Sequence, residues 1–285
     1  MKVAAVQMVS TTSVEVNLAA ARDLLTQAAA AGAELVVLPE YFCLLGRKDT
    51  DKLAFAETFG SGRLQDFLSH TARDLNIWLV GGTVPLTSSL MSSLTSPLTS
   101  LSTSPQPGKV FNSTLVYNPD GACIARYDKI HLFCFDNGSE RYDESRVLVR
   151  GTEPVAFELP SIDGHTWRIG LSICYDLRFP ELYRALNADV LLVPSAFTHT
   201  TGQAHWEVLL RARAIENLAF VVAPAQGGVH ENGRRTWGHS MLVAPWGEVL
   251  GQHEEGPAVV MAGLHHPALV DARARLPALS HRVLA

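Results

Sequence analysis

The apolar run Trp167-Arg-Ile-Gly-Leu-Ser-Ile ends in Cys174, and Pro180 with the amphipathic Glu181-Leu-Tyr-Arg-Ala-Leu follows shortly after. This order places the thiol on a turn between a buried strand and a helix, with the proline near the first helical position. Such a turn lifts its side chain out of the sheet. It also aims backbone N–H groups at the space in front, which lowers a thiol's pKa and can hold an oxyanion. A buried structural cysteine is the competing account, since free cysteines are among the most buried residues. Position alone leaves the two even, so the partners decide. Glu40 closes the apolar stretch Glu34-Leu-Val-Val-Leu-Pro, and Lys129 lies towards the end of Ala122-Cys-Ile-Ala-Arg-Tyr-Asp-Lys-Ile-His-Leu132. A carboxylate can take the thiol proton, an ammonium can stabilise thiolate and oxyanion, and a thiolate can attack a carbonyl carbon. Together the three suffice for acyl transfer. Each alone has a plainer account, as a strand-end surface charge for Glu40 and an edge-strand lysine for Lys129.

The elements that must position these residues alternate along the chain. Residues 2 to 8 read as a strand, and Thr12-Ser-Val-Glu15 as a capping box before Val14, Leu18, Ala21, Leu25 and Ala28 at helical spacing, closed by Gly32. A strand ends at Glu40, a second helix carries Leu64, Phe67, Leu68, Ala72 and Leu75, and Ile77-Trp-Leu-Val-Gly-Gly-Thr-Val84 reads as the next strand. Phe111 to Leu132 is a hairpin turning at Asn-Pro-Asp-Gly121, and an acidic loop with Asp136, Glu140, Asp143 and Glu144 follows it. Acidic loops are usually solvated. Further strands are expected at Val155, before Cys174, at Ala188–Phe197, at Phe220, at Ser240–Leu250 and at Ala258. The helix from about Gln203 to Ala219 carries two apolar stripes, one through Trp206, Leu210 and Ala214 and one through Val208, Ala212 and Ile215, so a subunit interface is a plausible second contact. Asp271 onward reads as a short helix and an arm. Strands and helices in alternation indicate a layered α/β fold.

Composition bounds the function. The 285 residues are 47% hydrophobic and 18% charged, which is globular, and one domain over 1–285 is expected. A net charge of -5 without a Lys/Arg block argues against nucleic acid. No run approaches membrane-spanning length, and Met1-Lys-Val-Ala-Ala-Val-Gln-Met is too quickly polar for a secretory leader, so the expected location is the cytoplasm. Cys43, Cys123, Cys134 and Cys174 lack the spacing of a zinc site or a disulfide frame. Residues from about 86 to 108 form a low-complexity Ser/Thr/Leu/Pro insertion, read as a surface loop, and about 271–285 as a C-terminal arm.

Leu38-Pro-Glu40, Tyr127-Asp-Lys129-Ile-His-Leu and Ser172-Ile-Cys174-Tyr-Asp-Leu-Arg-Phe-Pro-Glu181 stand in the order and approximate spacing of the Glu-Lys-Cys set of the carbon-nitrogen hydrolase (nitrilase) superfamily, which the chain resembles from Val3 to Leu-Pro-Ala-Leu-Ser-His-Arg282. Within it the chain is similar to the Nit amidases at Glu144-Ser-Arg-Val-Leu, Pro194-Ser-Ala-Phe, Thr201-Gly-Gln-Ala-His-Trp-Glu and Gly238-His-Ser-Met. The resemblance implies a four-layer α-β-β-α sandwich whose subunits pair through helices. It also implies that Glu40, Lys129 and Cys174 are catalytic and that Glu144 is a second active-site carboxylate. Tyr175, Arg178 and Phe197 are the substrate-binding candidates, with Arg178 open between gripping a substrate carboxylate and pairing with Glu181 or Asp176. The activity implied is hydrolysis of a small anionic carboxamide through a thioester, with release of ammonia and no metal or organic cofactor. Its wording is closer to the amidases of deaminated glutathione than to the ω-amidases of 2-oxoglutaramate or 2-oxosuccinamate. Expected partners are the small-molecule substrate and a second copy of the chain. Three other readings stand beside it: nitrile hydrolysis, a Cys-His dyad using His131, His199 or His205, and a non-catalytic binding protein, against which the intact Glu40, Lys129, Glu144 and Cys174 speak.

Overall fold

In the computed structural model, which describes residues 1–87 and 108–283, strand β1 (Lys2–Gln7) is buried from Val3 onward, so its alternate side chains enter two different apolar layers. Ala4 and Val6 join the core beneath helices α1 (Val14–Ala30) and α2 (Arg63–Leu75), whereas Val3 and Ala5 face a second sheet. Strand β2 (Leu35–Val37) repeats the division, with Val36 towards the helices and Leu35 and Val37 inward.

The first sheet continues through β3 (Trp78–Val80), β4 (Val84–Thr87), β5 (Val110–Tyr117) and β6 (Cys123–Asp128). After it come a small hairpin, β7 (Cys134–Asp136) with β8 (Arg141–Asp143), and the short β9 (Leu148–Val149) on β5. The second sheet is built from β10 (Ala156–Pro160), β11 (Thr166–Leu171), then α3 (Pro180–Leu186), β12 (Val190–Leu192), α4 (His199–Asn217) and β13 (Phe220–Ala223). A hairpin of β14 (Gly227–Val229) and β15 (Arg235–Trp237) precedes β16 (Ser240–Val243) and β17 (Val249–His253), after which β18 (Ala258–Gly263) returns to β1 and α5 (His266–Arg275) ends the regular structure. Strand order is β18-β1-β2-β3-β5-β4 in the first sheet, with β6 and β9 also on β5, and β10-β11-β12-β13-β16-β17 in the second. Helices α1 and α2 cover one sheet and α3 and α4 the other, which is the α-β-β-α sandwich. Tyr127, Trp167, Ile169, Leu171 and Leu191 fill one continuous core with Leu182, Tyr183, Trp206 and Leu210 of the outer helices.

Several local expectations change. Helix α1 is capped by Ser13, whose hydroxyl accepts from Val16 N, because Thr12 is engaged with Glu231 and Glu15 with Arg63 instead of closing a capping box. The last helix starts at His266, with a proline in its first turn, ahead of the expected Asp271. The acidic loop folds in part into β7 and β8, and β14 and β15 are likewise a hairpin that apolar patterning did not mark. The insertion expected at 86–108 lies outside the described residues except for Leu86, Thr87 and Gly108 at its ends.

The stretch 77–84 is two strands and not one. Gly81 and Gly82 break it, and Gly82 at φ +51 sends the chain from β3 to β4 across the start of the segment that carries Glu40. A Cβ there would lie 2.2 Å from the Pro39 carbonyl oxygen. Gly82→Ala therefore meets both a left-handed backbone and a main-chain clash, and should cost on the order of 2 kcal/mol or more. The check is the urea midpoint at unchanged slope, and a midpoint equal to that of the parent chain refutes this account of the turn.

Candidate active site

Each expected residue reaches the site from the end of a different strand or turn. Glu40 sits just past β2, Lys129 just past β6, Glu144 just past β8, and Cys174 past β11 at φ +49, a backbone that only a tightly held turn imposes on a non-glycine residue. The elbow is fixed by Cys174 N donating to Pro194 O at 3.0 Å and by Asp176 beneath it. Asp176 Oδ2 accepts from Ile173 N at 2.8 Å and from the Tyr127 hydroxyl at 2.7 Å, and its Oδ1 accepts from His131 N at 3.0 Å. One buried carboxylate thus ties the cysteine turn to the segment carrying Lys129.

Lys129 is wholly buried and donates to Glu40 Oε1 at 2.9 Å and to Glu144 Oε1 at 3.0 Å. A lysine so placed is no edge-strand gatekeeper. Burial alone would push its ammonium down, but Glu144 and Glu40 hold it well above its ordinary value, so it is charged. Glu40 Oε1 also accepts from Asn112 Nδ2 at 2.9 Å and its Oε2 from Ala196 N at 3.0 Å. Glu144 takes Phe133 N at 2.7 Å and the Tyr41 hydroxyl at 2.9 Å. Against the pull of burial, Lys129 and then Lys52 keep Glu144 below its usual value, so it is no solvated loop carboxylate.

The thiol departs from expectation. Burial pushes Cys174 well above the ordinary thiol value, Glu40 pushes the same way, and Lys129 offsets only part of this. Helix-entrance N–H groups do not outweigh desolvation beside a carboxylate, and the resting cysteine keeps its proton.

Cys174, Glu40 and Glu144 open onto one pocket of about 360 Å³, which Tyr175, Arg178 and Phe197 also line. Arg178 makes no ion pair with Glu181 or Asp176. Its Nη2 lies 3.2 Å from His205 Nδ1 and its guanidinium stands over Phe197 and Tyr175, on the wall of the pocket. The three histidines considered for a dyad are engaged elsewhere: His131 with Asp176, His205 with Arg178, and His199 against Trp237. Among the described residues no group of three or more His, Cys, Asp or Glu side chains is placed to hold a metal ion. No described helix is long and apolar enough to cross a membrane.

Sequence reading missed several residues of the site. Tyr41, at φ +57, contacts Glu144 and also receives a hydrogen bond from Lys52 Nζ at 3.3 Å. Asn112 opens the buried polar run Asn112-Ser-Thr114 inside β5, and polar residues within an otherwise apolar strand were the available signal. Gln226, whose Nε2 donates to Glu40 O at 3.1 Å, gave the same signal after β13. Arg234, also on the pocket, gave none.

Comparison with known proteins agrees with this geometry. The chain is 38% identical to a deaminated glutathione amidase of Synechocystis over 98% of its own length and 97% of the relative's, and 37% identical to the deaminated glutathione amidase of Homo sapiens over 98% and 81%. It superimposes on the nitrilase and fragile histidine triad fusion protein NitFhit of Caenorhabditis elegans with a TM-score of 0.82 at 36% identity, covering 99% of this chain and 65% of that one. Residues 2–273 match the carbon-nitrogen hydrolase family from end to end of the sandwich, and the chain belongs to that family as an amide-hydrolysing enzyme.

Proposed function

We propose that the chain hydrolyses the amide of a deaminated glutathione through a thioester on Cys174. The observation that carries this is the buried ammonium of Lys129, held by Glu40 and Glu144, whose carboxylates line one pocket with Cys174. As the amide carbonyl arrives, Glu40 takes the thiol proton and the sulfur attacks the carbonyl carbon, whose π electrons move onto oxygen. Lys129 and the Tyr175 backbone N–H hold that oxyanion. Glu40 returns the proton to nitrogen, the C–N bond breaks, and the acyl group remains on sulfur. Glu40 next takes a proton from water as its oxygen attacks the thioester carbon, and when the C–S bond breaks Glu40 gives that proton to the departing sulfur, which frees the acid and restores the thiol. Glu144, fixed by Tyr41 and Phe133, keeps the ammonium of Lys129 in place throughout.

The substrate comes from the curated relatives and from the chemistry of the pocket, where Arg178 suits a carboxylate. Ammonia is the product expected from a primary amide. Deaminated glutathione presents its scissile carbonyl to a secondary amide, so here the leaving group is cysteinylglycine. The same reading makes residues 1–285 one catalytic domain working in the cytoplasm as a homodimer. Val208, 69% exposed, and Ile215, 45% exposed, offer α4 as the pairing face.

Cys174→Ala should abolish turnover with the fold intact. Glu40→Gln should lower kcat by about a thousandfold or more, the scale of losing a general base and acid. Since Glu40 raises the thiol's pKa, the same change should move the pH profile of Cys174 alkylation to lower pH, and an unmoved profile would show that Glu40 does not act on the sulfur. For the substrate, kcat/KM on deaminated glutathione should exceed that on 2-oxoglutaramate by about tenfold or more, the scale expected from added polar recognition. Equal or reversed preference replaces the assignment with an ω-amidase. Val208→Asp should yield a monomer in sedimentation, and an unchanged mass places the interface elsewhere.

A further inference from the structure

Two guanidinium groups line the pocket without a carboxylate partner among the described residues, Arg178 and Arg234. The pocket's own carboxylates do not answer them. Glu40 is committed to Lys129, Asn112 and Ala196 N, and Glu144 to Lys129, Tyr41 and Phe133 N. The two guanidinium groups that line the cavity are therefore left without a carboxylate of their own there. Ring faces and neutral partners offset only part of the hydration that a half-buried arginine loses, and a ligand's anion would supply the rest.

The two arginines occupy different walls. Arg178 belongs to the cysteine turn and stands over Tyr175 and Phe197, at 5.9 and 5.8 Å. Arg234 comes from the turn between β14 and β15 and stands 5.2 Å over the Tyr142 ring, on the side of Tyr41, whose phenol feels its charge. The turn that presents Arg234 is held rigidly. His230 Nδ1 lies 2.9 Å from Ser10 O, which can only accept, so Nδ1 donates and Nε2 accepts from Thr236 Oγ1 at 2.7 Å. Asn232 donates to Leu45 O and Gly46 O at 3.2 and 2.7 Å and accepts from Arg234 N at 2.9 Å, while Glu231 accepts from Thr12 Oγ1 at 2.7 Å. A cation on so anchored a loop is preorganised for binding.

We infer that Arg234 is a specificity residue that binds a carboxylate carried by the departing amine, while Arg178 serves the acyl half. This rests on the amide hydrolysis proposed above. The acyl group stays bonded to Cys174, so contacts from the cysteine turn hold that half. Glu40 passes its proton to the nitrogen, so the amine departs across Glu40 towards the wall of Tyr41, where Arg234 stands. The amine leaves neutral at nitrogen, and its carboxylate remains paired to the guanidinium until water replaces it. The site thereby selects an amide with an anion on each side of the scissile bond.

The test uses the full-length protein with two peptides: deaminated glutathione, and the same molecule with its terminal carboxylate converted to an N-methylamide. Release of 2-oxoglutarate is followed. The parent chain should favour the free acid in kcat/KM by about 10- to 100-fold, the scale of one charge-assisted pair. Arg234→Gln should bring the two rates within about threefold of each other by lowering only the acid, since the lost pair is the sole difference between the peptides. A melting temperature equal to the parent's reports an intact fold, so the ratio of the two rates carries the reading. Arg178→Gln should lower both and keep the ratio, and Arg234→Lys, which retains charge without the fork, should give an intermediate ratio. Equal rates on both peptides in the parent chain, or a ratio erased by Arg178→Gln and kept by Arg234→Gln, overturns the inference while leaving the hydrolase reading standing. Hydrolysis of neither peptide overturns the substrate reading itself, and the inference with it.

Discussion

The ammonium of Lys129, buried between Glu40 and Glu144, is the constraint around which the site is arranged. Desolvating such a charge costs several kcal/mol, and only close ion pairs with further hydrogen bonds offset it. Both carboxylates are accordingly saturated: Asn112 and Ala196 N complete Glu40, and Tyr41 and Phe133 N complete Glu144. Removing one partner would leave a buried charge unmatched, a loss of about 3–5 kcal/mol. The network is therefore rigid by energetic necessity. That rigidity is what a reaction needs if an oxyanion is to find its donor already in place.

The same charges decide where the proton rests. A thiol beside a positive group is commonly ionised, but here the nearest carboxylate and the lack of water favour the neutral form. In the proposed reaction proton transfer to Glu40 accompanies attack. The resting enzyme then carries no standing thiolate open to oxidation or to stray electrophiles. Asp176 supports this arrangement from below, since its bonds to Ile173, Tyr127 and His131 join the cysteine elbow to the lysine segment. A shift of either segment would open the pair that Lys129 makes with Glu40.

The two-sheet architecture explains why residues so distant in the chain meet. Parallel strands β2, β12 and β13 are buried on both faces and release the chain at their carboxyl ends, which is where Glu40 and the Ala196 amide arise. Facing sheets bring those ends together around one pocket. The helices on the outside cover the apolar backs and leave the catalytic edge to loops.

The amino-acid pattern alone determined the alternation of strands and helices, the cysteine turn with its proline, and the strand-end positions of Glu40 and Lys129, because burial periodicity and turn chemistry are local. It also carried the family likeness at Glu40, Lys129, Cys174 and Glu144. It did not reveal Tyr41, Asn112, Gln226 or Arg234, whose roles depend on partners far away in the chain. The Ser13 cap was misjudged for the same reason, since Thr12 and Glu15 are claimed by Glu231 and Arg63, whereas the break at Gly81-Gly82 comes from the left-handed backbone of Gly82. The ionisation of Cys174 belonged wholly to tertiary structure. Residue spacing does not encode how much water a fold excludes or which carboxylate it sets beside a sulfur, and those two quantities decide where the proton sits.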